Sequence, residues 1–479
     1  MFKQSILTLT FILLAANAQQ NNNCCEDYCY STDSERSQTK NYATKTAYDI
    51  AKGSDSDSQR SAIVPGCQPV KFWLLARHGT RLPGANDIDN LRRLTNLRDD
   101  ILENYRTRRT KPSQGALCDE DLELLQNWRW NNNVSVQYES YLTEQGWNDL
   151  KFLALHYRGL FPSVLQPIYD RSRFLFRHTN TERTEASYKA FVEGLFGDRA
   201  YENIQLPPIP PKDYLLRPYD ICPAYQENSK KNKDSSSEYQ KFLESPLYKE
   251  TVSDISVRLG FRYTLQPKQI EAIWDMCRYE QAWHVDQLSP WCSVLTKKQV
   301  DVLEYSEDVK NYYKNGYGES LNSKVACHAA SDMLKHLSSD SNPIVIAYFT
   351  HDAEVQLFLT AIGAKKDFDA LRADNFYQMT RRKWHTGQIA PFAANLAAIK
   401  YQCDDPREQH KIIFFLNQKP LDFEWCRVGL CNWSEVQRKF EYFNRANCDN
   451  DYCSGSFANQ LLPSIFLCVI LALIVHLRN

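Results

Sequence analysis

Two arginines flank a histidine within one short segment, Arg77-His78-Gly79-Thr80-Arg81-Leu82-Pro83. A guanidinium presents a planar fork that matches the oxygens of a phosphate, and an imidazole attacks phosphorus in line while fixed cations neutralise charge on the transferring group. The chemistry implied is phosphoryl transfer through His78, with neither metal nor other cofactor required. A departing alkoxide needs a proton, so an acid must stand opposite the nucleophile. Thr350-His351-Asp352-Ala353-Glu354 supplies two candidates, Asp352 and Glu354, and His351 beside them would donate to the same phosphate. Gly79 reads as a residue that lets the backbone turn closely around an anion. No glycine-rich loop followed by Lys-Ser/Thr occurs, which leaves nucleoside-triphosphate chemistry unsupported.

The elements that must position these residues are visible as apolar runs. Val70-Lys71-Phe72-Trp73-Leu74-Leu75-Ala76, after Pro69, reads as a buried strand that ends at the arginine-histidine motif. Ile344-Val345-Ile346-Ala347-Tyr348-Phe349 reads as a second, delivering His351 and Asp352 at its own carboxyl end. Ligands of open α/β sheets bind at that edge. Residues 141–157 and 182–196 show helical spacing, with Thr143 and Thr181 as caps. A run of prolines over 205–223 cannot be helix interior. The expected fold is α/β, a central mostly parallel sheet flanked by helices, over 61–204 and 336–445. A mainly helical cap is inserted at 205–335, and 19–60 forms a loose polar lead-in that carries little chemistry.

Arg77-His78-Gly79-Thr80-Arg81-Leu82-Pro83 resembles the R-H-G-x-R-x-P signature of the histidine acid phosphatases, and His351-Asp352 resembles their later H-D pair. Arg183-Thr184, with Ser187, Phe191 and Gly194-Leu195-Phe196, is similar to the family's third phosphate-binding arginine on its helix. Leu216-Arg217-Pro218-Tyr219-Asp220 and the segment from Gly387 to Leu396 look closest to the branch that acts on multiple inositol polyphosphates. The resemblance covers about 65–430. It implies a phosphohistidine on His78, phosphate bound by Arg77, Arg81, Arg183 and His351, and inositol polyphosphates as substrates, with 2,3-bisphosphoglycerate a further one. That branch commonly carries His-Ala-Glu, whereas this chain has His351-Asp352-Ala353-Glu354. Asp352 fits the wider pattern and Glu354 the branch, so Asp352 is taken as the proton donor with Glu354 as the alternative. A broad-specificity acid phosphatase and a non-catalytic surface-anchored binding protein are the rival readings.

Lys111, in the basic stretch with Arg106, Arg108 and Arg109, is a candidate outer substrate contact. His178 reads as packing ahead of the Arg183 helix. Across 479 residues Lys plus Arg number 57 against 58 acidic residues, so the overall field does not favour nucleic acid and any anion site must be local. No obligate protein partner is evident.

Residues 1–18 read as a secretory signal, a basic Lys3 before an apolar run that ends in Ala16-Asn17-Ala18. Fifteen cysteines suit an oxidising compartment; setting Cys468 aside leaves enough for seven disulfides. Asn133 and Asn432 open glycosylation sequons. The apolar tail 461–479 after a polar stalk at 446–460 has the layout of a glycosylphosphatidylinositol anchor signal, with attachment between Asn450 and Gly455. The expected location is the outer face of the plasma membrane, held there by that lipid.

Overall fold

Strand β1 (Cys67–Arg77) is buried on both faces from Lys71 onward. Successive side chains alternate across a strand, so Trp73 and Leu75 enter one core with Leu396, Ala398, Ile412 and Phe414. Phe72, Leu74 and Ala76 enter the opposite core with Ala397 and Ile399. The helices Cys327–Ser338 and Asp352–Ala361 cover the first face. Glu144–Leu160 and Glu182–Phe196 cover the second. This computed structural model describes residues 27–107, 111–231, 234, 237–426 and 429–453. The expected signal peptide and apolar tail lie outside those residues.

β2 (Phe174–His178) and β3 (Val345–Thr350) run parallel to β1 in the order β2-β3-β1. Beyond β1 lie β4 (Asn395–Cys403) and β5 (His410–Leu416), both antiparallel to their neighbours, and the short β6 (Lys419–Pro420) and β7 (Leu430–Asn432) pair with β5. The α/β architecture with flanking helices is as expected, but the mostly parallel sheet is not. Among the described residues only the β2–β3 and β3–β1 pairings are parallel. The reason is chain length: β4 and β5 are joined by too few residues for the helical crossover that parallel strands need. The parallel half positions the chemistry, because Arg77 pairs with Thr350 and His178 with Phe349. His78, His178 and His351 therefore emerge at one edge.

The helical lobe is assembled from two stretches of chain. Leu91, Leu94, Leu97 and Ile101, from helices Ala85–Arg92 and Leu94–Arg106, share a core with Ile255, Ile270, Ile273 and Tyr279 from Pro246–Arg258 and Pro267–Trp283. The described part of the lead-in, from residue 27, is also packed rather than loose. Tyr30, Tyr42 and Tyr48 are buried, and Cys29 is bonded to Cys118. Five further disulfides join described residues: Cys67–Cys403, Cys222–Cys453, Cys277–Cys292, Cys327–Cys448 and Cys426–Cys431.

Gly79 serves close packing rather than a turn around an anion. A Cβ there would collide with the carbonyl of Gly146, and a Cβ on Gly146 would collide with that of Thr80. The Glu144–Leu160 helix thus lies directly on the motif. Thr143 caps it, accepting from the Gly146 amide at 3.1 Å while its hydroxyl donates to the Thr80 carbonyl at 2.9 Å. Thr181 occupies the corresponding position on the Glu182–Phe196 helix without a side-chain cap bond. Gly146→Ala forces these backbones apart and is expected to lower unfolding free energy by about 1–3 kcal/mol, read from denaturant titration; an unchanged midpoint would show that the two segments separate freely.

Candidate active site

β1 delivers His78 to the floor of a cavity of about 470 Å³. The ring is buried, and Nδ1 lies 2.8 Å from the carbonyl of Gly79. A carbonyl only accepts, so Nδ1 carries the proton and the Nε2 lone pair remains for attack. Burial first, then the charge of Arg77 and Arg183, hold the imidazole well below its usual pKa, so it is neutral. The loop after it is fixed by Asp149, which accepts from the Thr80 amide at 3.2 Å and hydroxyl at 2.9 Å. Ser187 accepts from the Gly79 amide at 3.0 Å.

Arg81, Arg183, His351 and Asp352 join His78 on the cavity wall. The Arg81 guanidinium lies 5.9 Å from the Tyr279 ring centroid, and its carbonyl accepts from Trp283 Nε1 at 3.0 Å, so the Pro267–Trp283 helix of the cap holds it. Arg183, in the first turn of its helix, donates Nη2 to His351 Nδ1 at 3.3 Å. His351 Nε2–H then donates to Thr179 Oγ1 at 2.9 Å, and burial with Arg183 brings its pKa down to about 3. Arg77 lies behind the wall. Its Nη1 donates to the carbonyls of Thr44 and, at 2.8 Å, Ala390, and its guanidinium stacks on Phe392 at 4.7 Å. Burial lowers its pKa to about 10, which leaves it charged.

The two candidate acids are separated. Asp352, the first residue of the Asp352–Ala361 helix, faces the cavity. Burial raises its pKa, but Arg77, Lys314, His351 and Arg81 more than offset this and hold the carboxyl below its usual value. Glu354 is off the wall and 0% exposed, with neither carboxyl oxygen partnered among the described residues. Burial and nearby Asp213 keep it protonated.

Lys111 is not on the wall: its ammonium lies 5.7 Å from the centroid of the Tyr105 ring. Arg106 is paired with Glu103, and Arg108 and Arg109 lie outside the described residues. The cations the cavity does gain are Arg217, Lys230 and Lys314, with Tyr219 and Tyr225 between them. Arg217 lies in the Leu216–Asp220 segment that resembles the inositol polyphosphate branch, outside the expected site residues; Lys230 and Lys314 sit in helices of ordinary charged composition. His178 is packing, stacked on Tyr188 at 5.6 Å with Nδ1 on the Thr179 carbonyl. Asn133 and Asn432 are exposed.

Among the described residues Glu304, Asp308 and His385 lie close enough to hold a metal ion. They are already satisfied, since Arg382 bridges both carboxylates at 2.8 and 2.6 Å and Thr386 donates its amide to Asp308. No described helix is long and apolar enough to cross a membrane.

Residues 71–417 match the histidine phosphatase superfamily (branch 2). The chain is 44% identical over 478 residues to multiple inositol polyphosphate phosphatase 1 of Drosophila melanogaster, covering 99% of this chain and 100% of that one. It is 27% identical to the Homo sapiens protein of that name, over 88% and 90% of the two chains. The fold is similar to the D. castellii phytase, with a TM-score of 0.68 at 18% identity over 87% of this chain and 89% of that one. It is also similar to a Bifidobacterium longum multiple inositol polyphosphate phosphatase solved with inositol hexasulfate, TM-score 0.63 at 12% identity, over 84% and 97%. The motif at the end of β1, the arginine on the Glu182–Phe196 helix and the histidine-aspartate pair after β3 converge on one cavity in a chain that belongs to branch 2 of the histidine phosphatase superfamily, within the family of multiple inositol polyphosphate phosphatases.

Proposed function

We propose that the protein removes phosphate from inositol polyphosphates, from the hexakisphosphate and pentakisphosphate down to lower esters, through a phosphohistidine on His78. The observation that carries this reading is a neutral imidazole with Nε2 unblocked, in a cavity where Arg81, Arg183, Arg217, Lys230 and Lys314 face only Asp352 and Asp220 as carboxylates. A small monoester needs a few cations around one phosphate, whereas a polyphosphorylated ring needs them on several sides. The names of the relatives agree with that substrate class.

In the mechanism, His78 Nε2 attacks the phosphorus while Arg81 and Arg183 neutralise its equatorial oxygens and Arg77 adds its charge from behind. The bond to the leaving oxygen breaks as Asp352 transfers its proton to that oxygen. The Asp352 carboxylate then takes a proton from water as the water attacks phosphohistidine, releasing phosphate and restoring His78. Asp352 is ionised beside free cations, but a bound polyanion occupies those cations and adds negative charge of its own. Both effects raise the Asp352 pKa, so the substrate itself loads the acid with its proton. Glu354, buried off the wall, is poorly placed for this role.

The exposure of Asn133 and Asn432 supports glycan attachment during secretion. The disulfide Cys222–Cys453 bears on the anchor, because attachment at Asn450 would discard Cys453 and break that bridge. We place attachment at or after Ser454, within the small residues Ser454, Gly455 and Ser456. Phosphatidylinositol-specific phospholipase is expected to release the protein from intact cells; retention after treatment would sink the lipid anchor.

Inorganic phosphate released from inositol hexakisphosphate without added metal tests the reaction. Wild type is expected to be active, His78→Ala inactive, and Asp352→Asn slower by about 10²–10⁴-fold. On p-nitrophenyl phosphate, whose leaving group departs without a proton, the Asp352→Asn loss should be much smaller. Because the His78 pKa is depressed, wild-type activity persists as pH falls below the ordinary histidine value; it declines as pH rises through the Asp352 pKa of the complex, and Asp352→Asn should flatten that alkaline limb. Equal losses on both esters would remove Asp352 from the acid role, and hydrolysis of the small ester alone would favour a broad acid phosphatase.

A further inference from the structure

At the edge of the sheet opposite His78, Lys71 of β1 and Lys400 of β4 are direct cross-strand partners. Each is only 3% exposed. Like charges set opposite one another weaken a strand pair, and a buried ammonium without a counter-charge is costly. Lys71 is partly satisfied, donating to the carbonyls of Ser341 and, at 2.8 Å, Pro343. Lys400 lies over the Trp433 ring at 5.7 Å, and its ion pair is Asp340, 3.8 Å away on a residue whose side chain is 94% exposed. Arg173, just before β2, has a buried Nε with no partner among the described residues.

These three cations, with Asp340, His410, Gln402 and Ser163, line a cavity of about 390 Å³. Burial and then Lys400 depress Lys71, burial depresses Lys400, and burial followed by Lys71 pushes the neighbouring His336 down to about 4. One exposed carboxylate does not balance two buried ammoniums and a guanidinium. None of the three lines the catalytic cavity.

We propose that this cavity is a second oxyanion site, separate from the catalytic one, which takes a tetrahedral phosphate group between Lys71, Lys400 and Arg173. The group is the same whether it arrives as free orthophosphate or as a phosphate on a polyphosphorylated ring. A bound anion would join the starts of β1 and β2 to the end of β4 and so stabilise the folded chain. The proposal does not depend on the identity of the substrate.

Equilibrium dialysis of the full chain against radiolabelled orthophosphate tests it. Wild type is expected to show two classes of site, with the catalytic class lost in Arg183→Ala. Lys400→Met and Arg173→Gln should each weaken the other class about tenfold or more while leaving kcat unchanged; the second variant guards against misfolding in the first. A single class in wild type, or a second class that survives in both variants, would overturn the proposal. Displacement of the second class by inositol hexasulfate would identify a ring phosphate as its ligand, and resistance to displacement the free ion.

Discussion

A guanidinium buried under the nucleophile is the constraint on which this structure turns. Among the described residues no carboxylate bonds Arg77; it is held by the carbonyls of Thr44 and Ala390 and by the face of Phe392. Backbone oxygens disperse the charge without cancelling it, so the cavity in front stays positive; burial first, and then this charge, keep His78 neutral. Three remote stretches of chain must meet for this to happen: the lead-in, β1, and the segment that enters β4. Their meeting explains the backbone at Ala393, which adopts a positive φ of 53° and donates its amide to the His78 carbonyl at 3.0 Å. It also explains why the buried cluster of Glu304, Asp308, Arg382 and His385 sits where it does. That cluster secures Thr386, from which the chain runs to Ala390 and the arginine.

Charge in the cavity is divided by origin. In the proposed reaction the sheet edge and the Glu182–Phe196 helix supply the groups that would meet the phosphorus, whereas Lys230 and Lys314 come from helices Pro223–Lys231 and Lys297–Asn315. On that reading, reaction and recognition rest on different parts of the chain. Asp352 belongs to both, since Lys314 and Arg77 each act on its titration.

The strands and the site they deliver were legible because their signals are local. An apolar run ending in Arg77-His78-Gly79 and another ending in His351-Asp352 specify both the edge and its chemistry within a few residues. Arg217, Lys230 and Lys314 were not legible as a group, because only the tertiary fold brings them together and a lysine in an ordinary amphipathic helix carries no mark. Lys111 misled for the same reason: a run of basic residues looked like a grip, but its side chain lies over Tyr105. The lead-in was read from its Ser, Asp and Asn content, although Tyr30, Tyr42 and Tyr48 were a visible sign of burial. The sheet was expected to be mostly parallel because β1 and β3 are; the short connection between β4 and β5 was the available warning. Asp352 and Glu354 could be ranked by motif alone, and burial separates them physically.

In the proposed reaction His78 carries the phosphate between the two halves. Rapid acid-free quenching of the enzyme with radiolabelled inositol hexakisphosphate, followed by alkaline peptide mapping, measures this directly. A base-stable, acid-labile label is expected on the peptide containing His78, absent in His78→Ala. A wild-type enzyme that releases phosphate with the label on another residue would contradict it.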